Sequence, residues 1–255
     1  MKSWRLDNIT LKSAREQNFE VAVLPMGATE PHNYHLPYGT DTMQCEHIAD
    51  RACETATKQG ARVVLLPTIP YGVESNMMEF PFAMNVYPST MFALLKDLVH
   101  TLDKHGIKKL ILLNGHGGND FPKPFIREMM GKSPMFICTI NWYEAALPAH
   151  DEIFVLDGDH ANDMETSAML SIAPNLVKME DADDGAWQPS RFTGVREGWV
   201  SLSRPWHLLT KSSGVGTPYE GTAEKGARFF DAVEANLAGF IKELSDAEID
   251  DNFPF

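Results

Sequence analysis

The segment Glu20 to Met26 is a short apolar run that stops at Gly27, too short for a packed helix, which predicts a buried strand. Residues from about Met43 to Gln59 are rich in Ala, Glu, Gln and Lys and end at Gly60, the pattern of a helix closed by glycine. Arg62 to Pro67 predicts a second strand. Ser89 or Thr90 is placed to cap a helix that runs to Gly106, with Phe92, Leu95, Val99 and Leu102 spaced by threes and fours on one face. Lys109 to Leu113 predicts a third strand, Phe121 to Met130 a helix, and Met135 to Trp142 a further extended run. Strand and helix alternate throughout, which implies right-handed βαβ units. The expected fold class is therefore α/β, a three-layer sandwich with a mostly parallel central sheet flanked by helices. Thr222 to Leu244 reads as a long amphipathic helix, and Thr217-Pro218-Tyr219-Glu220 before it has the form of a capping box with proline at the first helical position.

A chain of 255 residues with 44% hydrophobic content can bury the core such a sandwich needs, and one domain over residues 1–255 is expected. The acidic turn Asp181 to Gly185 is the only place where composition suggests a boundary. A net charge of −13 argues against a nucleic-acid binder or a membrane-surface binder, both of which need a basic face, and leaves small molecules as the expected partners. Cys45, Cys53 and Cys138 lie far apart without CxxC spacing, so neither a disulfide framework nor a thiolate zinc site is indicated, and a reducing cytoplasm is expected. The N-terminal stretch lacks the apolar core of a signal peptide, and no apolar run is long enough to span a bilayer.

In a sheet of this kind ligands sit beyond the carboxyl ends of the strands, and polar clusters follow there. The first runs from Glu30 to Asp41 and collects two carboxylates and two imidazoles directly after the first strand. In extended backbone Glu30 and His32 point the same way, and imidazole with carboxylate is a donor set for zinc, manganese or ferrous iron, with Asp41 able to bridge two ions. The second is Asn114-Gly115-His116-Gly117-Gly118-Asn119, where glycine lets backbone approach a ligand and His116 is the candidate donor. Taken alone it could equally be a tight turn; it lacks the Lys-Ser/Thr of a phosphate loop and does not match GxGxxG. The third runs from Asp157 to Ser167. Glu165 falls in the first turn of an expected helix, where a carboxylate serves as a cap as readily as a ligand or a base. His160 is placed to act as a general acid or base.

Together these clusters resemble the creatininase (creatinine amidohydrolase) family. The likeness begins at Leu24-Pro25-Met26-Gly27-Ala28-Thr29-Glu30-Pro31-His32 and continues through His35-Leu36-Pro37, Gly39-Thr40-Asp41 and Asn114 to Asn119. It takes in His160-Ala161 and Glu165-Thr166-Ser167, and ends with Ser213-Gly214-Val215-Gly216 and Thr222 to Gly226. The resemblance implies two divalent metal ions, zinc first and manganese or iron as alternatives, with Glu30, Asp41 and His116 holding one, and His32, the bridging Asp41 and Glu165 the other. It also implies hydrolysis of a C–N bond in a cyclic amide or formamide-type small molecule by a metal-activated water, with His160 and Glu165 as catalytic residues, and a homo-oligomer, commonly a hexamer. Two departures set this chain apart. Gly118 stands where creatininase itself has glutamate, and Met77 to Met84 replaces a histidine before an FPGT-like turn. A remodelled substrate pocket lined by Glu79, Trp142, Tyr143 and Trp187 is expected. Creatinine hydrolysis itself, a non-catalytic metal-containing ligand-binding scaffold and a nucleotide-binding enzyme are the competing readings.

Overall fold

The computed structural model describes residues 3–255; Met1 and Lys2, which open the stretch read as lacking a signal peptide, lie outside the described residues. The chain begins with α1 (Leu11–Glu16), β1 (Val21–Met26), α2 (Thr40–Lys58), β2 (Val63–Leu65) and α3 (Pro88–Lys104). It continues through β3 (Lys109–Asn114), α4 (Pro122–Met129), β4 (Phe136–Asn141), α5 (Leu147–Ile153) and β5 (Gly158–His160). α6 (Asp163–Ile172), α7 (Thr193–Arg196), α8 (Trp206–Leu209), β6 (Val215–Gly216) and α9 (Ala223–Asp246) complete it.

The first four strands form one parallel sheet in the order β2-β1-β3-β4, with Val21 opposite both Val63 and Lys109. β1 and β3 are buried along their whole length, as strands covered on both faces must be. Their side chains alternate between two cores. Val21, Val23, Ile111 and Leu113 face α2, α5 and α9, while Ala22, Leu24, Met26, Leu110 and Leu112 face α3 and α4. The expected α/β sandwich is the fold observed. Among the described residues no helix is long and apolar enough to cross a membrane.

Several boundaries differ from the sequence expectation, and each has a local cause. α2 starts at Thr40, three positions before Met43, because Gly39 serves as its N-cap. Asp41 is thereby carried into the first helical turn. α3 starts at Pro88, with Tyr87 as cap and the proline preorganising the first turn; Ser89 and Thr90 lie within the helix. α9 is capped by Thr222, whose hydroxyl accepts from Lys225 N, so Thr217 to Glu220 is a preceding turn instead of the capping box. The short antiparallel pair β5-β6 had no periodic signal to announce it.

The acidic turn at Asp181 to Gly185 is packed in place. Asp183 N donates to Asn33 Oδ1, and a Cβ on Gly185 would lie 1.9 Å from Gly216 O. Gly226 has a comparable role where α9 crosses α6, since a Cβ there would lie 2.0 Å from Ser167 O. Gly226 and Ser167 both lie in helices, so that contact yields only if one helix moves. Gly226→Ala is expected to lower unfolding free energy by about 1–3 kcal/mol through overpacking, measured by urea titration, and an unchanged midpoint would show that the helix crossing is looser than described.

Candidate metal centre

The loop leaving β1 is folded back on itself. Glu30 N donates to Tyr38 O, Leu36 N donates to His32 O, and Asn33 takes the left-handed conformation at φ 55°. Asparagine tolerates that region better than most residues. From outside, Ser213 accepts from Asn33 N and donates to Pro31 O. The Ser213 to Gly216 segment therefore braces the loop and adds no donor of its own to the site. His32 is turned inward, and His35 is turned away to Thr166 Oγ1 at 2.8 Å. Burial and the neighbouring His32 lower the His35 pKa to about 4.

Asp41 joins the parts. Its Oδ1 lies 2.9 Å from His32 Nε2 and its Oδ2 lies 3.0 Å from His116 Nδ1, so each oxygen faces a different imidazole. The first turn of α2 favours a carboxylate there through its unpaired N–H groups and dipole. His116 Nδ1 is also 3.0 Å from Glu30 Oε1. The loop after β3 is tied by Asn114, which donates to His116 O and accepts from Asn119 Nδ2. Gly115 is required because a Cβ would stand 2.6 Å from that of Cys45.

Glu165 performs two tasks. Asn162 caps α6 by accepting from Met164 N and Glu165 N, and one Glu165 oxygen accepts from Ala161 N in a short contact. The other oxygen faces His32 Nε2 at 3.9 Å. Cap and candidate ligand are thus compatible in one side chain. His160, at the end of β5, has Nε2 2.9 Å from Pro31 O and Nδ1 3.8 Å from Glu30 Oε1. Its ring lies 4.3 Å from that of His32 and 4.9 Å from that of Trp206.

The electrostatics follow from burial. Glu30, Asp41 and Glu74 are 1–2% exposed, Glu165 is mostly buried, and three imidazoles stand among them. Burial pushes Glu30 well above the usual carboxylate range and Glu165 up to about 7. Burial alone would raise Asp41, but His32 and His116 outweigh it and hold that carboxyl low. Burial opposes charge on His32, yet Asp41, Glu165 and Glu30 raise it to about 10. His116 is raised in the same way by Glu30, Asp41 and Glu74 against burial, while burial and His32 keep His160 well below its ordinary value.

A cavity of about 860 Å³ opens over these groups. Among its lining residues the one lysine or arginine is Arg204, which pairs with Asp159 at 2.7 Å. Asp41 Oδ2 is buried without a hydrogen-bond donor. An acceptor oxygen without a donor, gathered with imidazoles, suits divalent cations. Close groups of potential ligand atoms are formed by His32, Asp41 and Glu165, by Glu30, His32 and His160, and by Glu30, Glu74 and His116.

Of the expected pocket residues, Tyr143 lines this cavity, and the other three lie elsewhere. Trp142 is 1% exposed and stacks on Phe230 in the core beneath α9, because it falls on the helix-facing side at the end of β4. Trp187 is 43% exposed and bridges to Thr210. Glu79 sits exposed in the turn around Phe80. Sequence reasoning missed Glu74, whose Oε1 lies 2.7 Å from His116 Nε2. Its only signal is a carboxylate in the loop leaving β2, with no surrounding motif.

The family profile for creatinine amidohydrolase matches residues 7–241. The mycofactocin precursor peptide peptidase of Mycolicibacterium smegmatis is 25% identical over 225 residues, covering 87% of this chain and 84% of that protein. The creatinine amidohydrolase of Pseudomonas putida is 28% identical over 190 residues, 64% of this chain and 68% of that one. A 3-dehydro-scyllo-inosose hydrolase of Thermotoga maritima is 28% identical, covering 69% and 58% respectively. A solved structure from Bacteroides fragilis, assigned to the creatinine amidohydrolases, superposes with a TM-score of 0.92 at 37% identity over 98% of this chain and 99% of that chain. The manganese form of a creatininase shares the fold at a TM-score of 0.75 and 18% identity, with 96% and 99% covered.

The raised His32 fixes the sign of one pH effect. Its folded pKa of about 10 exceeds its ordinary 6.5, so its contribution to stability is complete below the latter and lost as pH rises through the former. Chelator-treated protein is expected to become less resistant to urea between about pH 7 and pH 10, and His32→Ala to flatten that slope. Equal slopes in the two proteins would contradict the assignment.

Proposed function

The chain belongs to the creatinine amidohydrolase (creatininase) family, and on that premise we propose that it is a binuclear metal-dependent hydrolase cleaving a C–N bond in a cyclic amide or formamide-type small molecule. The observation that carries the reading is the convergence of Glu30, Asp41, His116 and Glu165 on one cavity, with His32 buried behind Asp41 and Glu165, and a buried excess of carboxylates with no lysine or arginine among them. Glu30, Asp41 and His116 would hold one divalent cation, and His32, Asp41 and Glu165 a second. Zinc suits this set best, and manganese or iron also accept it.

When bound, such cations supply Lewis acidity, polarising a carbonyl and making water acidic enough to attack near neutral pH. The remaining work falls to the chain's own groups. His160 donates from Nε2–H to Pro31 O, which turns its unprotonated Nδ1 toward Glu30 and the cavity. A neutral imidazole in that tautomer accepts a proton from the attacking water and returns it to the departing nitrogen. His32 Nδ1 faces Glu30 O at 3.1 Å, leaving Nε2 directed at Asp41 and Glu165. Tyr143, whose pKa is raised by burial and then by Glu144, stays protonated at neutral pH as a hydrogen-bond donor on the cavity wall. Phe121, Met164 and Trp206 supply apolar wall that limits access of bulk water.

A second reading is a peptide substrate. It is favoured by a cavity of about 860 Å³, near the upper end of the 300–1,000 Å³ common for ligand sites, and by the peptidase among the relatives. A metal-reconstituted screen of lactams, formamides and short peptides separates the two.

Chelation followed by dialysis is expected to abolish amide hydrolysis and added zinc to restore it; undiminished turnover after chelation would refute the reading. His116→Ala should lower metal content and rate together. His160→Ala should lower the rate by about 10²–10⁴-fold with metal content retained by elemental analysis.

A further inference from the structure

Glu74 is a carboxylate that the five proposed ligands leave unassigned. It is 1% exposed, and its backbone is fixed on both sides, with Glu74 N donating to Asn85 Oδ1 and Met77 N donating to Glu74 O. Its Oε1 lies 2.7 Å from His116 Nε2, the ring nitrogen opposite the one that faces Glu30 and Asp41. The approach is within ion-pair distance, and that oxygen has no other donor. The same Nε2 lies 3.4 Å from Val73 O.

Space for this contact depends on Gly118. A Cβ at that position would stand 2.3 Å from His116 Nε2 and 2.6 Å from Val73 O, in the volume where the Val73-Glu74 segment closes over the ring. The carboxylate above His116 is therefore delivered by the loop after β2, and the glycine two residues beyond the histidine makes room for it.

Resting on the metal-centre reading above, we propose that Glu74 is a positioning residue that accepts the Nε2–H of His116, fixes the tautomer with Nδ1 as the donor atom, and strengthens that donor toward a divalent cation. A carboxylate behind a ligating imidazole locks ring orientation and raises basicity, with effects of about 10–100-fold on metal affinity. Geometry favours this role over direct ligation, because Glu74 approaches the ring nitrogen opposite the one that meets Asp41, the carboxylate shared between the two histidines.

The test titrates zinc against a chromophoric chelator and records the absorption spectrum of the cobalt(II)-loaded protein for the unaltered chain, Glu74→Gln, Glu74→Ala and Gly118→Ala. Glu74→Gln, which keeps an acceptor without the charge, should weaken the affected ion about 10-fold, and Glu74→Ala up to about 100-fold. Both should bind the same number of ions at saturation, with shifted cobalt bands. Gly118→Ala should weaken binding with Glu74 intact, by displacing the Val73-Glu74 segment. Unchanged affinity and spectra in both Glu74 variants would overturn the proposal, as would loss of one bound ion at saturation, which would make Glu74 a ligand. If the unaltered chain binds no divalent ion, the metal-centre reading itself fails, an outcome distinct from either of these.

Discussion

Three carboxylates held almost wholly out of water at the carboxyl ends of β1 and β3, with a fourth mostly buried beside them, create the demand that the surrounding structure answers. Isolated, each would cost several kcal/mol to bury in ionised form. Among the described residues the one lysine or arginine lining this cavity is Arg204, which pairs with Asp159, so the nearest partners of these carboxylates are the imidazoles of His32 and His116. Asp41 meets the demand most directly, offering one oxygen to His32 and the other to His116 from the first turn of α2. The same disposition puts an imidazole nitrogen against each oxygen of one carboxylate.

Rigidity around this centre comes from residues with no place in the chemistry. The Glu30-His32 loop is gripped by Ser213, which bonds to it at Asn33 N and Pro31 O, while Asn33 in turn holds the Asp183 backbone. Gly115 lets β3 exit against Cys45, and Gly226 lets α9 approach α6. Segments that look like parts of a catalytic signature in the sequence thus include spacers and braces. Their value is to fix imidazole and carboxylate positions that a loosely held loop would not maintain.

Strands with no polar interruption, such as Leu110 to Leu113, were legible because burial on both faces leaves a continuous apolar run. The convergence of Glu30, His32, Asp41, His116 and Glu165 was legible because each sits in or beside a polar cluster that directly follows a strand or opens a helix. Glu74 was not, since its partner lies 42 positions away and its local sequence carries no pattern; contact with His116 is created only when the loop after β2 folds back over β3. The aromatic residues failed for another reason. Trp142 lies next to a pocket residue in sequence, but the two-residue alternation of β4 directs it into the core beneath α9, where Phe229 and Phe230 enclose it. Helix starts shifted where Gly39 and Pro88 set the first turn in place of a hydroxyl cap.

The account stands on the idea that these convergent donors seat a pair of cations and not merely a self-neutralised cluster of acids and imidazoles. Crystals of the zinc-loaded protein, measured on both sides of the zinc absorption edge, test it most directly. Two anomalous peaks about 3.5–4 Å apart, flanking Asp41 with His116 on one side and His32 on the other, are predicted. Absence of anomalous density at Asp41, with the His32 and His116 contacts to it unchanged, would contradict the account.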